Sequence, residues 1–148
     1  SGIKKGFPVI AIQSGNVGIV GKVVTAGLDT SLVMPVYDTK CNISARIQNT
    51  RDIGIVSGNG SYGSPLNLQY IRKRVFDSLN HGDIVVTSGE NGNYVKDVPI
   101  GRISKIKILD YDSSLSIELE PVIDFLRLEN VLVVDQKNLN DKPPLAKN

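Results

Sequence analysis

The chain has 148 residues, 41% of them hydrophobic and 22% charged, and its 17 basic and 15 acidic residues leave a net charge of +2. A chain of this length buries about 70% of its unfolded surface, which suits one domain or two small ones. The near balance of charges argues against nucleic acid as the main partner, the single cysteine excludes an internal disulfide, and no apolar run approaches the roughly 18 residues of a membrane span.

Alternating apolar and polar residues predict strands along most of the chain. In the first half the predicted strands are residues 7–13, 17–25, 31–36, 43–47, 52–57 and 66–70. Pro35 cannot donate a hydrogen bond to a neighbouring strand, so it indicates an edge strand or a strand end. In the last of these runs, Leu66, Leu68 and Tyr70 are expected to share one face.

The second half continues this pattern and adds two short helices. The predicted strands are residues 84–87, 105–108, 115–120 and 131–134. In the first helix, Tyr70–Leu79, we expect Ile71, Val75 and Leu79 to share a face. The second, over residues 124–128, has Asp124 as its predicted cap. The polar tail, residues 136–148, is predicted to be disordered.

The spacing of these strands predicts an all-β protein. Strands separated by turn signals every 8–14 residues or so favour antiparallel barrels or sandwiches. We expect two small antiparallel six-stranded-type β-barrels with short helical turns only. The glycine-rich span Gly58–Ser64 interrupts the spacing and is the predicted boundary. Residues 1–64 with 122–135 then form the first barrel, and residues 65–121 form the second.

The segment GNGSYG, Gly58–Gly63, matches the G-x-G-x-x-G fingerprint of dinucleotide-binding proteins. That fingerprint requires a strand before it and a helix after it, because the helix N-terminus binds the pyrophosphate. Here the following residues are Ser64-Pro65 and then a strand-like alternation. We therefore predict a turn and no nucleotide cofactor.

Ser88 lies in a glycine-rich setting that resembles a nucleophile turn. A nucleophilic serine needs a base within hydrogen-bond reach and a third group that orients the base. The only histidine, His81, is seven residues away in the turn Asn80-His81-Gly82-Asp83. We interpret this stretch as a surface turn and expect Ser88 to bond local backbone, so no catalytic residue is predicted.

Metal ligands and a basic binding site are equally scarce. One histidine and one cysteine do not make a zinc site. The run that begins at Asp110 starts like a calcium loop but has Leu115 and Pro121 where glycine and glutamate are required. We predict no metal site. The basic cluster Arg72-Lys73-Arg74 is interpreted as a solvated face.

Five segments in order resemble the rod shape-determining protein MreC family. They are GIVGKVVTAGLDTSLVMPVYD at 18–38, IGIVSGNG at 53–60, LNLQYI at 66–71, GDIVVTSGENGNYVKDVPIGRI at 82–103 and PVIDFLRLENVLVV at 121–134. The resemblance covers residues 17–134. It departs from the family pattern at Tyr94-Val95-Lys96-Asp97, where the family usually has Phe-Pro-x-Gly.

The resemblance implies a non-enzymatic, extracytoplasmic scaffold of the cell-elongation machinery. Proteins of this family have two small β-barrels, self-associate as dimers or larger assemblies, and contact a class B penicillin-binding protein, the transpeptidase that crosslinks peptidoglycan. They work with MreD and MreB. We expect a periplasmic location and attachment to the inner membrane through an N-terminal anchor that lies outside this sequence.

Aromatic and apolar residues near the glycine-rich turns are the candidate contacts with the transpeptidase, because aromatic side chains often anchor interfaces. The candidates are Tyr62, Tyr94, Val95 and Tyr111. Two alternative functions stay open. One is a chymotrypsin-like two-barrel serine hydrolase or a degenerate relative of one, with Ser88 as nucleophile. The other is a glycan-binding module, which the absence of tryptophan disfavours.

Overall fold

The computed structural model describes residues 3–90 and 95–135, and most of the regular secondary structure in these ranges is strand. In order, the strands are β1 Pro8–Gln13, β2 Asn16–Ala26, β3 Ser31–Pro35, β4 Asn42–Ile47, β5 Ile53–Ser57, β6 Leu66–Gln69, β7 Ile84–Thr87, β8 Pro99–Ile108, β9 Leu115–Pro121 and β10 Leu132–Val133. The prediction of an all-β protein is confirmed.

Six strands close into an antiparallel barrel in the order β4-β5-β6-β9-β8-β7. Along β4, Ile43, Ala45 and Ile47 are fully buried while the residues between them are only half-buried. This period of two directs every second side chain into the barrel. The apolar positions that alternate in the sequence therefore form the barrel core.

The other four strands form a sheet in the order β10-β1-β2-β3. Ser14 and Gly15 join β1 to β2 with φ values of +50° and +80°, a turn geometry that matches the natural twist of a hairpin. β3 is an edge strand, as Pro35 predicted. At the other edge the short β10 pairs with Val9 and Ile10 of β1.

The sheet and the barrel share one apolar core. Ile19 of β2 is buried in the same cluster as the inward residues of the barrel, and Ile10 and Met34 pack against it. On its other face the sheet buries Val9 together with Ile123, which belongs to the segment that returns from β9. The sheet is therefore covered by the barrel on one face and by this returning segment on the other.

The strand pairing divides the chain at a different place from the predicted one. Ile55 pairs with Gln69 and Ser57 with Asn67, so the span Gly58–Ser64 is a loop within the barrel rather than a boundary. β4 and β5, assigned in the prediction to the first unit, belong to this barrel, and the first unit is the four-stranded sheet. The tail at 136–148 lies outside the described residues.

The two predicted helices are present as short 3₁₀ turns, Lys73–Ser78 and Phe125–Arg127. The Asp124 carboxylate caps the second turn by accepting the N–H of Leu126 at 3.1 Å, as predicted. Beside the first turn, Ile71, Val75 and Leu79 all contact the barrel core. Their predicted common face is therefore the inward one.

The prediction that Tyr70 shares the inward face of β6 is wrong. Leu66 and Leu68 are buried, but Tyr70 is 64% exposed. Its φ of +72° takes the backbone out of the strand conformation and turns the ring outward. Ile71, which is 1% exposed, occupies the next inward position instead.

Tyr37, in the linker between β3 and β4, joins three segments of the chain. Its ring packs edge-to-face on Phe125 at 5.0 Å and on Tyr62 at 6.2 Å between centroids. Its carbonyl accepts the N–H of Gly60 at 2.7 Å. A Cβ on Gly58 would lie 2.1 Å from the Tyr37 carbonyl carbon, so glycine is required there.

Gly58→Ala is therefore expected to lower the free energy of unfolding by about 2 kcal/mol or more, because the obstructing atoms are backbone and cannot rotate away. The matched control is Gly63→Ala in the same loop, where a Cβ meets nothing within 4 Å. We expect the control to stay within about 0.5 kcal/mol of the wild type. Urea denaturation followed by circular dichroism measures both, and equal midpoints would contradict the close approach at Gly58.

Candidate partner-binding surface

The register of the barrel strands sorts the connecting segments into two ends. At one end, which we call the proximal end, the chain arrives from the sheet and later returns to it; this end carries segments 36–41, 58–65, 88–90, 95–98 and 122–124. The opposite, distal end carries segments 48–52, 70–83 and 109–114. The pairing of Asn42 with Ser57 fixes the proximal end, and that of Ile108 with Leu115 fixes the distal end.

The residues proposed as partner contacts do not form one surface. Tyr62 and Val95 lie on proximal segments, whereas Tyr111 lies in the distal turn between β8 and β9. Tyr94 is outside the described residues. The sequence alone did not separate these positions, because the assignment of loops to barrel ends depends on which strands pair.

Tyr62 lies at the proximal end and is partly used by the fold itself. Its ring is 51% exposed and packs on Tyr37. A groove of about 440 Å³ runs beside it towards Leu126, which is 73% exposed. Because part of the ring packs on Tyr37, a substitution at Tyr62 would alter packing as well as any surface contact.

Among the described residues, the two most exposed aromatic side chains lie at the distal end. Tyr111 is 86% exposed and Tyr70 is 64% exposed, and a groove of about 490 Å³ extends from Tyr70 to the segment that bears Tyr111. Three further apolar residues are exposed at this end. We call the set the distal patch, and its members are Ile53, Tyr70, Phe76, Ile108 and Tyr111.

Strand pairing explains how residues distant in sequence meet in the distal patch. Leu115 pairs with Ile108 and donates its N–H to the carbonyl of Ile71 at 2.8 Å. On the other side, a Cβ on Gly54 would lie 3.0 Å from the Cδ1 of Ile71. β5, the residues after β6, β9 and β8 thus follow one another along one rim. Tyr70 was missed in the sequence because the alternation along β6 predicts it on the same face as Leu66 and Leu68, whereas the structure exposes it.

Charges of both signs surround the distal patch. Arg72 and Arg74 are exposed and Lys73 is half-buried, as expected for a solvated face. Asp110 and Asp112 flank Tyr111 on either side. This mixture suits a protein partner better than a uniformly charged polymer such as nucleic acid.

Ser88 is held inside the structure. It is 7% exposed; its hydroxyl donates to the Oγ of Ser44 at 3.0 Å and accepts the N–H of Glu90 at 3.1 Å. The predicted bond to local backbone is confirmed. His81 is exposed in its turn, where Gly82 has a φ of +93° and Asp83 accepts the N–H of Asn80, so the interpretation as a surface turn is also confirmed.

The remaining motifs are structural within the part of the chain that the structure describes. The glycine-rich segment 58–63 is followed by β6 and not by a helix. Across residues 3–90 and 95–135 there is no group of three or more histidine, cysteine, aspartate or glutamate side chains placed to hold a metal ion. In the same ranges no helix has the length and apolar character needed to cross a bilayer.

A family model described as the barrel core of rod shape-determining protein MreC matches residues 1–135. The chain belongs to the MreC family. The cell shape-determining protein MreC of Bacillus subtilis is 25% identical over 134 residues, which cover 86% of this chain and 46% of that protein. The Escherichia coli protein of the same name is 24% identical over 146 residues, or 99% and 38%. The chain thus spans less than half the length of these curated relatives.

Solved MreC structures share this fold. MreC of Listeria monocytogenes has a TM-score of 0.75 at 29% identity, with 89% of this chain and 61% of that chain covered. A chain in the complex between penicillin-binding protein PBP2 and MreC from Helicobacter pylori has a TM-score of 0.60 at 22% identity, with 83% and 74% covered. The family resemblance stated from the sequence is confirmed.

Val95 and Asp97, in the segment where this chain departs from the MreC pattern, are bonded to the barrel. The buried hydroxyl of Thr87 donates to the carbonyl of Val95 and accepts the N–H of Val98 at 2.9 Å. Asp97, whose φ is +66°, forms an ion pair with Arg46 on the outer face of β4. These bonds fix Val95 as a half-buried residue whose backbone is tied to β7.

Thr87→Val is expected to destabilise the protein by about 1–3 kcal/mol, because it leaves two backbone groups near β7 without their partner. The amide of Val98 should then exchange with solvent faster, which hydrogen exchange monitored by NMR measures. Thr25→Val, at an exposed position of β2, is the control and should leave that rate unchanged. An unaltered Val98 rate in Thr87→Val would show that the hydroxyl does not hold this segment.

Proposed function

We propose that this chain is a non-enzymatic extracytoplasmic scaffold of the bacterial cell-elongation machinery. It binds a class B penicillin-binding protein and positions or activates it for lateral peptidoglycan synthesis and cell shape. Membership of a family of cell shape-determining proteins supports the process. One observation carries the choice of partner: a chain of the same fold occurs in a complex of PBP2 with MreC.

Within this proposal the distal patch is the docking surface for the transpeptidase. A left-handed conformation costs a non-glycine residue about 1–2 kcal/mol, and Tyr70 bears this cost while leaving most of its ring in solvent. Strain of this kind persists mainly where function uses it. Tyrosines are also prominent among the residues that dominate binding energies. Tyr70 and Tyr111 are therefore the proposed anchors.

The other predicted contacts stay part of the proposal as secondary positions. Tyr62 and Val95 lie at the proximal end, away from the distal patch, and Tyr94 lies outside the described residues. The family resemblance supports the wider setting: a periplasmic location, an N-terminal anchor in the inner membrane, self-association, and joint action with MreD and MreB.

Tyr111→Ala and Tyr70→Asn are expected to weaken binding to the extracytoplasmic domain of the transpeptidase by about tenfold each, corresponding to about 1.4 kcal/mol. Asparagine is chosen at Tyr70 because it tolerates the left-handed conformation, so this variant should be at least as stable as the wild type while binding less well. Isothermal titration calorimetry measures the affinity and thermal unfolding measures the stability.

The matched control for this series is Leu126→Ser, which removes an exposed apolar side chain at the proximal end. It should bind as the wild type does. Tyr94→Ala belongs in the same series, since unchanged affinity would remove that residue from the interface. Wild-type affinity in both distal variants would place the interface elsewhere, and absence of binding by the wild type would reject the proposed partner.

A serine-reactive phosphonate probe separates the scaffold from the hydrolase alternative. We expect no labelling of Ser88, because its buried hydroxyl is bonded to Ser44 and the only histidine of the sequence, His81, lies at the other end of β7. Trypsin labelled in parallel is the positive control, and a Ser88 adduct found by mass spectrometry would favour the hydrolase. Co-sedimentation with isolated peptidoglycan sacculi tests the glycan-binding alternative, for which we expect the chain to stay in the supernatant.

A further inference from the structure

The hairpin formed by β2 and β3 extends past the rest of the sheet and carries two exposed leucines. The last residues of β2 lie beyond the end of β1 and have β3 as their only strand partner. The N–H of Gly27 donates to the carbonyl of Thr30 at 2.8 Å and closes the turn, with Leu28 at its tip. Leu28 and Leu32 are 95% and 62% exposed. We call residues 25–32, all of them exposed, the leucine arm.

Three lysines lie at the base of the leucine arm. The segment before β1 runs beside β2, where the N–H of Gly6 donates to the carbonyl of Val23 at 2.7 Å. This contact brings the exposed Lys4 and Lys5 next to the start of the arm. Lys22 is on β2 itself, one residue before Val23. The ion pairs among the described residues include none of these lysines.

Strand pairing puts Leu32 on the same face of the hairpin as Lys22. Lys22 pairs with Met34, and directly paired residues of antiparallel strands project from the same face. Leu32 precedes Met34 by two residues along β3, so the period of two gives it that face as well. The hairpin therefore presents an exposed leucine beyond a lysine, whose aliphatic stem can lie along apolar surface while its ammonium stays in water.

The net positive charge of the chain comes from the segment that contains the arm. Residues 1–37 include three lysines, no arginine and a single acidic residue, Asp29. Their net charge of +2 equals that of the whole chain, so the remaining residues are neutral as a set. Asp135, the carboxylate that follows β10, is at the opposite edge of the sheet from β3. A cationic surface beside exposed apolar side chains favours a partner that is both anionic and apolar.

The shape of the arm favours a lipid bilayer over a protein as that partner. Stable protein interfaces bury about 1,000 Å² or more in total, whereas the end of a hairpin offers a narrow convex surface. A bilayer needs no complementary pocket. Apolar side chains enter the boundary between headgroups and acyl chains by about 5–10 Å, and cations bind anionic headgroups. Leucines at the tip and lysines at the base follow this order of layers.

We propose that the leucine arm docks on an anionic phospholipid bilayer, with its two leucines in the interfacial region and the three lysines at the lipid phosphates. The contact is separate from the N-terminal anchor of the proposed function and goes beyond that function. Its few groups give a weak and reversible attachment, which needs a second attachment to be stable, as a single acyl chain does. Asp29 opposes binding, because its carboxylate approaches headgroups of like charge.

A tryptophan at the tip of the arm tests insertion directly, because the chain contains no tryptophan of its own. Vesicles of equal parts phosphatidylglycerol and phosphatidylcholine should shift the emission of Leu28→Trp to shorter wavelength, and lipids brominated on their acyl chains should quench it. Leu126→Trp, at an exposed position of the proximal end, is the matched control and should show neither change. An unshifted and unquenched Leu28→Trp in the presence of these vesicles would overturn the proposal.

Flotation of the protein with the same vesicles measures what the leucine contributes to the affinity. Leu28→Ser should bind about tenfold more weakly, because a leucine side chain is no longer removed from water. Leu126→Ser is the control for loss of an exposed leucine and should bind as the wild type does. Thermal unfolding of both variants confirms an unaltered fold. Wild-type binding by Leu28→Ser would overturn the role of the arm.

Charge variants test the lipid headgroups as the ligand. The double variant Lys4→Gln with Lys5→Gln should bind about tenfold more weakly, and Asp29→Asn about fivefold more strongly. Lys105→Gln, at an exposed position of β8, is the control and should leave the affinity unchanged. Wild-type binding should weaken on vesicles of phosphatidylcholine alone and in high salt. Equal binding to both kinds of vesicle would overturn the anionic headgroup as ligand.

Calorimetric titration of the same variants with the transpeptidase separates this inference from the proposed function. All of them should keep wild-type affinity, because the distal patch is unaltered. Loss of that affinity in Leu28→Ser, together with wild-type binding to vesicles, would overturn the membrane contact and place the transpeptidase at the arm. Vesicle binding by a wild type that does not bind the transpeptidase would reject the proposed function and support this inference.

Discussion

The close approach of Gly58 to Tyr37 is the contact on which the rest of the structure depends. The loop between β5 and β6 can reach the linker only because position 58 has no Cβ, and the carbonyl of Tyr37 then accepts the N–H of Gly60. The ring of Tyr37 spans the space between this loop and Phe125 in the returning segment. One residue thus connects the barrel, the linker and the segment that covers the sheet.

This arrangement makes the sheet and the barrel a single support for the surfaces they expose. The returning segment is held further by Gln13, whose side-chain amide exchanges two hydrogen bonds with the backbone of Asp124, at 2.9 and 2.8 Å. A sheet that is packed on both faces has little freedom to move relative to the barrel. A rigid support of this kind lowers the entropy lost when a partner binds.

The strands were predictable from sequence because burial in a barrel imposes a period of two on each of them, and the edge position of β3 followed from Pro35 alone. The partition of strands between sheets was not predictable, since the pairing of β5 with β6 depends on non-local contacts and a glycine-rich loop resembles a linker. Tyr70 shows a second limit. The alternation predicts that its side chain shares a face with Leu66 and Leu68, but its own left-handed backbone conformation directs the ring outward. The exposure of Tyr70 in the distal patch could therefore not be predicted from the alternation that predicts the core.

The register of the barrel strands also determines which exposed apolar residues lie at the proximal end and which lie at the distal end. Side chains at the proximal end are drawn into contacts with Tyr37 and the returning segment, so Tyr62 is only half free for a partner. No sheet covers the distal end, and Tyr111 remains 86% exposed. Because the two ends lie on opposite sides of the barrel, occupation of one leaves the other open.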